Sequence, residues 1–188
     1  MTAKRWCWVL CAAIFLSVSP SALNAAEPER KPNAAEQERK EALDTDKDGK
    51  PDEWRYYQGK TLVRIERDKN QDGRVDLWTY MKGGKIDRAE MDRNNNGKPD
   101  LIRLMIDGKP DREKADLNFD RKWDAWSFYK NGVKDFMIMD KNYDGRPDAW
   151  FYYGPGGKIL GAIMDDDHDG KPDRTLGTVQ EGETREPW

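Results

Sequence analysis

Six times along the chain an aspartate opens a nine-residue polar loop with oxygen-bearing side chains at positions 1, 3, 5 and 9. The loops are DTDKDGKPD from Asp44, DKNQDGRVD from Asp68, DRNNNGKPD from Asp92, DLNFDRKWD from Asp116, DKNYDGRPD from Asp140 and DDDHDGKPD from Asp165. The candidate ligands are therefore Asp44, Asp46, Asp48 and Asp52; Asp68, Asn70, Asp72 and Asp76; Asp92, Asn94, Asn96 and Asp100; Asp116, Asn118, Asp120 and Asp124; Asp140, Asn142, Asp144 and Asp148; and Asp165, Asp167, Asp169 and Asp173. Hard oxygen donors on alternate residues of a tight loop can converge on one point. That is the chemistry of calcium, which takes six to eight oxygens at roughly 2.3 to 2.6 Å.

A sharp turn at position 6 calls for glycine, and five loops have it: Gly49, Gly73, Gly97, Gly145 and Gly170. Position 7 is always basic (Lys50, Arg74, Lys98, Lys122, Arg146, Lys171) and would offer a backbone carbonyl while its side chain points to solvent. Of the 36 acidic residues, 19 sit at the ligand positions, a concentration that costs repulsion in every copy unless a cation neutralises it. Magnesium is disfavoured because it dehydrates reluctantly and seldom uses an all-protein cage. Loops one, two, five and six are the strong candidates. The third has only Asp92 and Asp100 beside two asparagines, and the fourth puts Arg121 where glycine belongs and Trp123 where others have Pro or Val. The expectation is four to six bound calcium ions.

The loops recur at spacings of 24, 24, 24, 24 and 25 residues, which marks repeat architecture. A short alternating aromatic run follows most of them, so that Trp54 and Tyr56, Trp78 and Tyr80, Trp126 and Phe128, and Trp150 and Tyr152 each face one side of a strand. Then comes a turn signal (Gly59-Lys60, Gly83-Gly84, Asn131-Gly132, Gly154 to Gly157) and a returning strand that ends at the next aspartate. Tandem hairpins of about 24 residues predict an all-β protein: an elongated, twisted meander with calcium loops along one edge, glycine turns along the other, and the tryptophan face as core. Tyr57, Tyr129 and Tyr153 fall on the opposite face as an exposed stripe. In the third repeat Ile102 and Leu104 replace the aromatics and Pro110 is expected to interrupt the returning strand, making the middle a joint.

Residues 44–174 resemble the EF-hand-like calcium-loop family in its broad sense, which includes thrombospondin type 3 repeats and secreted bacterial proteins with tandem DxDxDG loops. The resemblance implies side-chain ligation from Asp44, Asp46, Asp48 and Asp52 and from their counterparts in later copies. It departs at position 12, where an EF-hand has a bidentate glutamate and this chain has Arg55, Thr79, Arg103, Ser127, Phe151 and Leu176. The flanks also read as strands, so the opening motion of true EF-hands is not expected. The missing carboxylate must come from a neighbouring repeat or from water. More weakly, the W-x-Y-Y and G-G-K-I segments resemble the aromatic hairpins of choline-binding and cell-wall-binding repeats, which implies a glycan or other cell-surface partner as the alternative reading.

The ends and the composition bound the rest. Residues 1–26 read as a secretory signal peptide: Lys4 and Arg5 form a positive head, Trp6 to Val18 an apolar run, and Ala22, Ala25 and Ala26 a small-residue exit. Trp8-Val9-Leu10 is a poor lipid-attachment context for Cys11, so cleavage is expected rather than anchoring, with export to the periplasm or beyond. Residues 27–43 read as a charged linker and 175–188 as a polar tail. After residue 26 the chain has 31 Lys+Arg against 36 Asp+Glu, a net of −5, no cysteine, and no stretch apolar enough to span a membrane. The acidity argues against nucleic acid. After residue 26 a single serine, Ser127, and a single histidine, His168, both accounted for by the repeat, argue against an enzyme. His168, at loop position 4, is expected to be a solvent-facing spacer.

Overall fold

The computed structural model describes residues 38–179 and 187–188. The signal-peptide reading, and the linker up to residue 37, lie outside the described residues. Each alternating run forms a strand: β1 (Glu38–Leu43), β2 (Glu53–Gln58), β3 (Thr61–Arg67), β4 (Leu77–Lys82), β5 (Lys85–Met91), β6 (Leu101–Ile106), β7 (Lys109–Ala115), β8 (Ala125–Lys130), β9 (Val133–Met139), β10 (Ala149–Tyr153), β11 (Ile159–Met164) and β12 (Arg174–Gly177). They form one open antiparallel sheet whose spatial order is the sequence order, so the chain is the meander its repeats predict. Among the described residues no helix is long and apolar enough to cross a membrane.

The pairing is uneven along each strand. Within a hairpin it spans six registers, from Glu53↔Arg67 to Gln58↔Thr61 in the first, and five in the last. Between hairpins it spans four, from Arg64↔Tyr80 to Arg67↔Leu77, all at the loop end. The acidic loops therefore sit on the tightly joined edge, and the glycine turns on an edge where neighbouring hairpins part. One bulge recurs in every hairpin, at Tyr56/Tyr57, Tyr80/Met81, Leu104/Met105, Phe128/Tyr129 and Tyr152/Tyr153.

Three sequence expectations are corrected. Glu38–Leu43, placed in the linker, is β1, paired with β2 from Glu38↔Gln58 to Leu43↔Glu53. Arg174–Gly177, at the start of the tail, is β12, paired with β11. The third hairpin is not interrupted: Pro110 lies within β7 opposite Met105, beside the bulge, and the pairing of β7 with β8 begins only at Arg112. The proline thus sits where the strand has one neighbour, a place that tolerates its missing N–H.

The tryptophan face is the core, but its cover changes along the array. Trp126, Phe136 and Ile138 are buried, with Trp123, Phe128, Trp150, Tyr152 and Trp188 packed around them. In the first two repeats the residues opposite the aromatics are charged. Tyr56 faces Arg64 and Trp54 faces Glu66; the Arg64 guanidinium lies 3.9 Å from the Tyr56 ring centroid, and the Tyr56 hydroxyl donates to Glu66 Oε2 at 2.6 Å. Tyr80 repeats this with Arg88 at 4.2 Å and Glu90 Oε2 at 3.3 Å. The amino-terminal half is thus closed by cation–π contacts and hydrogen bonds where the later half uses Phe136 and Ile138.

On the other face Glu53, 3% exposed, is clasped by Arg55 Nε at 2.6 Å and Arg67 Nε at 2.5 Å. Burial works to raise the pKa of its carboxyl, but Arg67 and Arg55 together outweigh it and hold it below the ordinary glutamate value. A depressed carboxyl stabilises the fold above its unfolded pKa and ceases to do so as pH falls through the lowered folded value. Glu53→Gln should therefore cost about 1–2 kcal/mol at pH 7, moderated because both arginines reach solvent, and lose its effect in acid. Urea midpoints at pH 7 and below pH 4 check this.

Candidate metal centre

The loops are built from their own aspartates. The position-9 N–H donates to the carbonyl just before position 1 (Asp52 to Leu43, Asp148 to Met139), and the next position-1 N–H donates to the position-9 carbonyl (Asp68 to Asp52, Asp165 to Asp148), at 2.7–2.9 Å throughout. Positions 1 and 9 so alternate in a hydrogen-bonded row along the loop edge. This row buries Asp68, Asp92, Asp100, Asp116, Asp124, Asp140, Asp148 and Asp165, whereas positions 3 and 5 are exposed except Asn94, which is half-buried.

Each acidic side chain also caps backbone donors. The position-1 carboxylate accepts from the N–H of position 6: Gly49 to Asp44 at 2.9 Å, Gly73 to Asp68 at 2.7 Å, Gly145 to Asp140 at 2.7 Å and Gly170 to Asp165 at 2.8 Å. Position 3 accepts from position 5, as Asp48 to Asp46 at 3.1 Å, and position 5 from position 7, as Lys50 to Asp48 at 2.8 Å. Position 9 reaches back to positions 2 and 3, as Lys141 and Asn142 to Asp148 Oδ2 at 3.0 and 3.2 Å. These Asx-type bonds draw the side chains toward one centre and explain why short amide and carboxylate residues recur there.

Of the predicted ligands, Asp44, Asp46 and Asp48 in loop one, and Asp165, Asp167 and Asp173 in loop six, each bring one carboxylate oxygen within 4.8 Å of the others. Asp52 instead takes the N–H and hydroxyl of Thr45. The crowding has an electrostatic signature. The Asp48 N–H draws the Asp46 carboxyl down, but partial desolvation and its neighbours Asp48, Asp44 and Asp52 prevail and push it above the ordinary value.

Two features of the loops were missed. Position 4 is left-handed in every copy, with φ of 60–67° at Lys47, Gln71, Asn95, Phe119, Tyr143 and His168, although only Asn95 and His168 are residue types that favour it. In two copies its side chain reaches the preceding loop: Gln71 Nε2 donates to Asp46, and His168 Nδ1 lies 3.4 Å from Asp148 Oδ2. His168 is exposed, as expected of a solvent-facing spacer, and its ring also contacts the preceding loop. The second feature is Arg93. Its Nε donates to Asp100 Oδ1 at 2.5 Å and its Nη2 to the Asp116 carbonyl at 2.8 Å, so a guanidinium occupies the junction of loops three and four. In the weak centre of the array the chain supplies its own cation.

Loop four keeps the same backbone without glycine. Arg121 adopts φ 76°, and its N–H still reaches Asp116 Oδ2 at 2.9 Å. A side chain costs about 1–2 kcal/mol in that region, partly offset by the greater freedom glycine has when unfolded. Arg121→Gly keeps the donor and should stabilise the protein by about 1 kcal/mol, measured as a rise in denaturation midpoint.

The tyrosine face is not the exposed stripe expected. Tyr57, Tyr129 and Tyr153 are all half-buried. Arg39 lies 4.0 Å from the Tyr57 ring centroid, and Lys134 Nζ lies 5.8 and 5.9 Å from those of Tyr129 and Tyr153. The rings already carry cations of the protein itself.

No protein-family model matches the chain, and no curated protein is significantly similar to it. Among solved structures, the crystal structure of TarM matches at 14% identity and a TM-score of 0.31, over 60% of this chain and 19% of that one. This chain thus spans less than a fifth of that protein's length.

Proposed function

We propose that the chain is an exported, non-enzymatic calcium-binding repeat protein, in which ions in the DxDxDG loops complete a rigid sheet that acts as a structural or interaction module. The observation that carries the reading is in loop six. Asp165 is 4% exposed and its Oδ1 has no hydrogen-bond partner, in the loop where Asp165, Asp167 and Asp173 converge. A buried carboxylate oxygen without a donor costs about 1–3 kcal/mol or more, and a divalent cation held with the exposed Asp167 and Asp173 removes that cost for Asp165. The all-oxygen donor set and the adaptable loop suit calcium over the smaller, more rigidly octahedral magnesium. A non-enzymatic role agrees with the surroundings of Ser127 and His168. Ser127 is buried within β8, and His168 rests on a carboxylate that the loop edge already uses.

Terbium titration tests this reading. Trp54, Trp78 and Trp150 stand at position 11 of strong loops one, two and five, close enough to sensitise a bound lanthanide. Saturable emission, displaced by calcium and reduced by Asp46→Asn, is the expected result. Absence of sensitised emission, or emission that calcium does not displace, refutes the reading.

A further inference from the structure

We infer that the junction of loops three and four binds a small single-ring organic acid, its anionic group met by Arg121 and Lys98 and its ring by Trp123. The inference goes beyond the calcium reading and does not depend on it, because neither loop is among the four strong candidates. Loop four departs from the repeat at two positions. Arg121 stands where the other five loops have glycine, and Trp123 where they have Pro or Val. Both residues line one cavity of about 250 Å³, together with Lys98, Pro99, Asp100 and Asp116. The Arg121 side chain does nothing for the loop itself. Its bond to Asp116 Oδ2 comes from the backbone N–H, which glycine supplies equally elsewhere, and the side chain adds only the strain of φ 76°. Strain of this kind, held at the wall of a cavity, points to a use for the residue there.

Charge decides what the cavity takes. Its two carboxylates are buried and already satisfied: Asp100 accepts from Arg93 Nε and from the Arg93 N–H, and Asp116 from the N–H groups of Phe119 and Arg121. Lys98 and Arg121 are exposed, and among the described residues neither side chain has an ion-pair partner. Two unpaired cations beside neutralised carboxylates select an anion, and a guanidinium adds the planar pair of donors that a carboxylate or phosphate accepts. Trp123 supplies the apolar part. It is half-buried and packed against the cluster of Trp126, Phe136 and Ile138, with Lys114 Nζ 4.9 Å from its ring centroid, so the indole is fixed before a ligand arrives. A cavity just below the ~300 Å³ at which pockets for drug-sized molecules begin has room for one ring and its acid group. At the junction of loops five and six, with Gly170 and Pro172 in place of Arg121 and Trp123, the cavity is only about 10 Å³.

The test titrates the full chain, in calcium, with benzoate, phenyl phosphate and glucuronate, which join an acid to a ring, and with acetate and glucose, which each lack one of the two. The readout is the indole N–H resonance of Trp123. At least one ring acid should move it saturably, with a dissociation constant about tenfold or more below those of acetate and glucose. Which of the three binds names the acid as carboxylate or phosphate and the ring as aromatic or sugar. Arg121→Gly should weaken that binding about tenfold while raising the denaturation midpoint, a loss that damage to the fold does not explain. Lys98→Ala should weaken it similarly, and Lys50→Ala, at the same position of loop one, should not. Saturation by none of the ring acids overturns the inference. So does equal binding of acetate or glucose, or wild-type affinity in Arg121→Gly.

Discussion

Removing calcium should cost the protein about 6 kcal/mol and melt its two ends before its middle. At ten times its dissociation constant a site adds about 1.4 kcal/mol to folding, so four strong loops contribute roughly 6 in millimolar calcium, where extracellular modules of this affinity class are filled. A domain typically has only about 5–15 kcal/mol in total. The loss is not uniform, because the four strong loops are one, two, five and six, whereas the junction of loops three and four is neutralised by Arg93 and lies next to the apolar cluster of Trp126, Phe136 and Ile138. In chelator, amide exchange should rise to near the unfolded rate in β1–β4 and β11–β12 while β7–β9 stay protected. Identical melting temperature and exchange pattern in chelator and in calcium would show that the loops are metal-free turns.

How much of this was legible in the sequence differs by element. The 24-residue period, the glycine turns and the tryptophan pairs specify the hairpins, because strand alternation and turn chemistry are local. Glu38–Leu43 escaped because ERKEAL has no alternation of its own. Its status as a strand comes from pairing with β2, where Lys40 Nζ lies 5.3 Å from the ring centroids of both Trp54 and Tyr56. The loop positions that could hold a metal were readable from their oxygen chemistry, but not the division of labour among them. That positions 1 and 9 are buried follows from hydrogen bonds between repeats, which no single copy of the motif contains. The left-handed position 4 is hidden for the same reason: Lys47, Gln71, Phe119 and Tyr143 do not favour it, and the flanking Asx bonds impose it. Arg93 carries no signal of its own in the sequence, and only its hydrogen bonds to Asp100 and Asp116 show that it bridges two loops.

The largest effects of single substitutions are expected at Ile138 and Trp126, and they separate the two ways this sheet is held together. Ile138 is fully buried and packs with Trp126 and Phe136, so Ile138→Ala should cost about 2–5 kcal/mol, the upper part of that range if the surrounding aromatics cannot collapse into the space. Trp126→Ala should cost a comparable or larger amount, about 3–5 kcal/mol. Trp78 stands at the same position in the second repeat, but it is half-buried, and the residue across from it is Glu90 where Trp126 has Ile138. Water already reaches that site, so Trp78→Ala leaves no closed cavity and should cost about 1–2 kcal/mol. Denaturation midpoints in saturating calcium keep the metal contribution constant and make the three values comparable. Equal losses at Trp78 and Trp126 would mean that the charged cover of Arg88 and Glu90 seals its half as tightly as Phe136 and Ile138 seal theirs. A clear gap in favour of Trp126 means that the amino-terminal hairpins lack an apolar core of their own, and that their stability depends on the hydrogen-bonded loop edge and on attachment to the hairpins that follow.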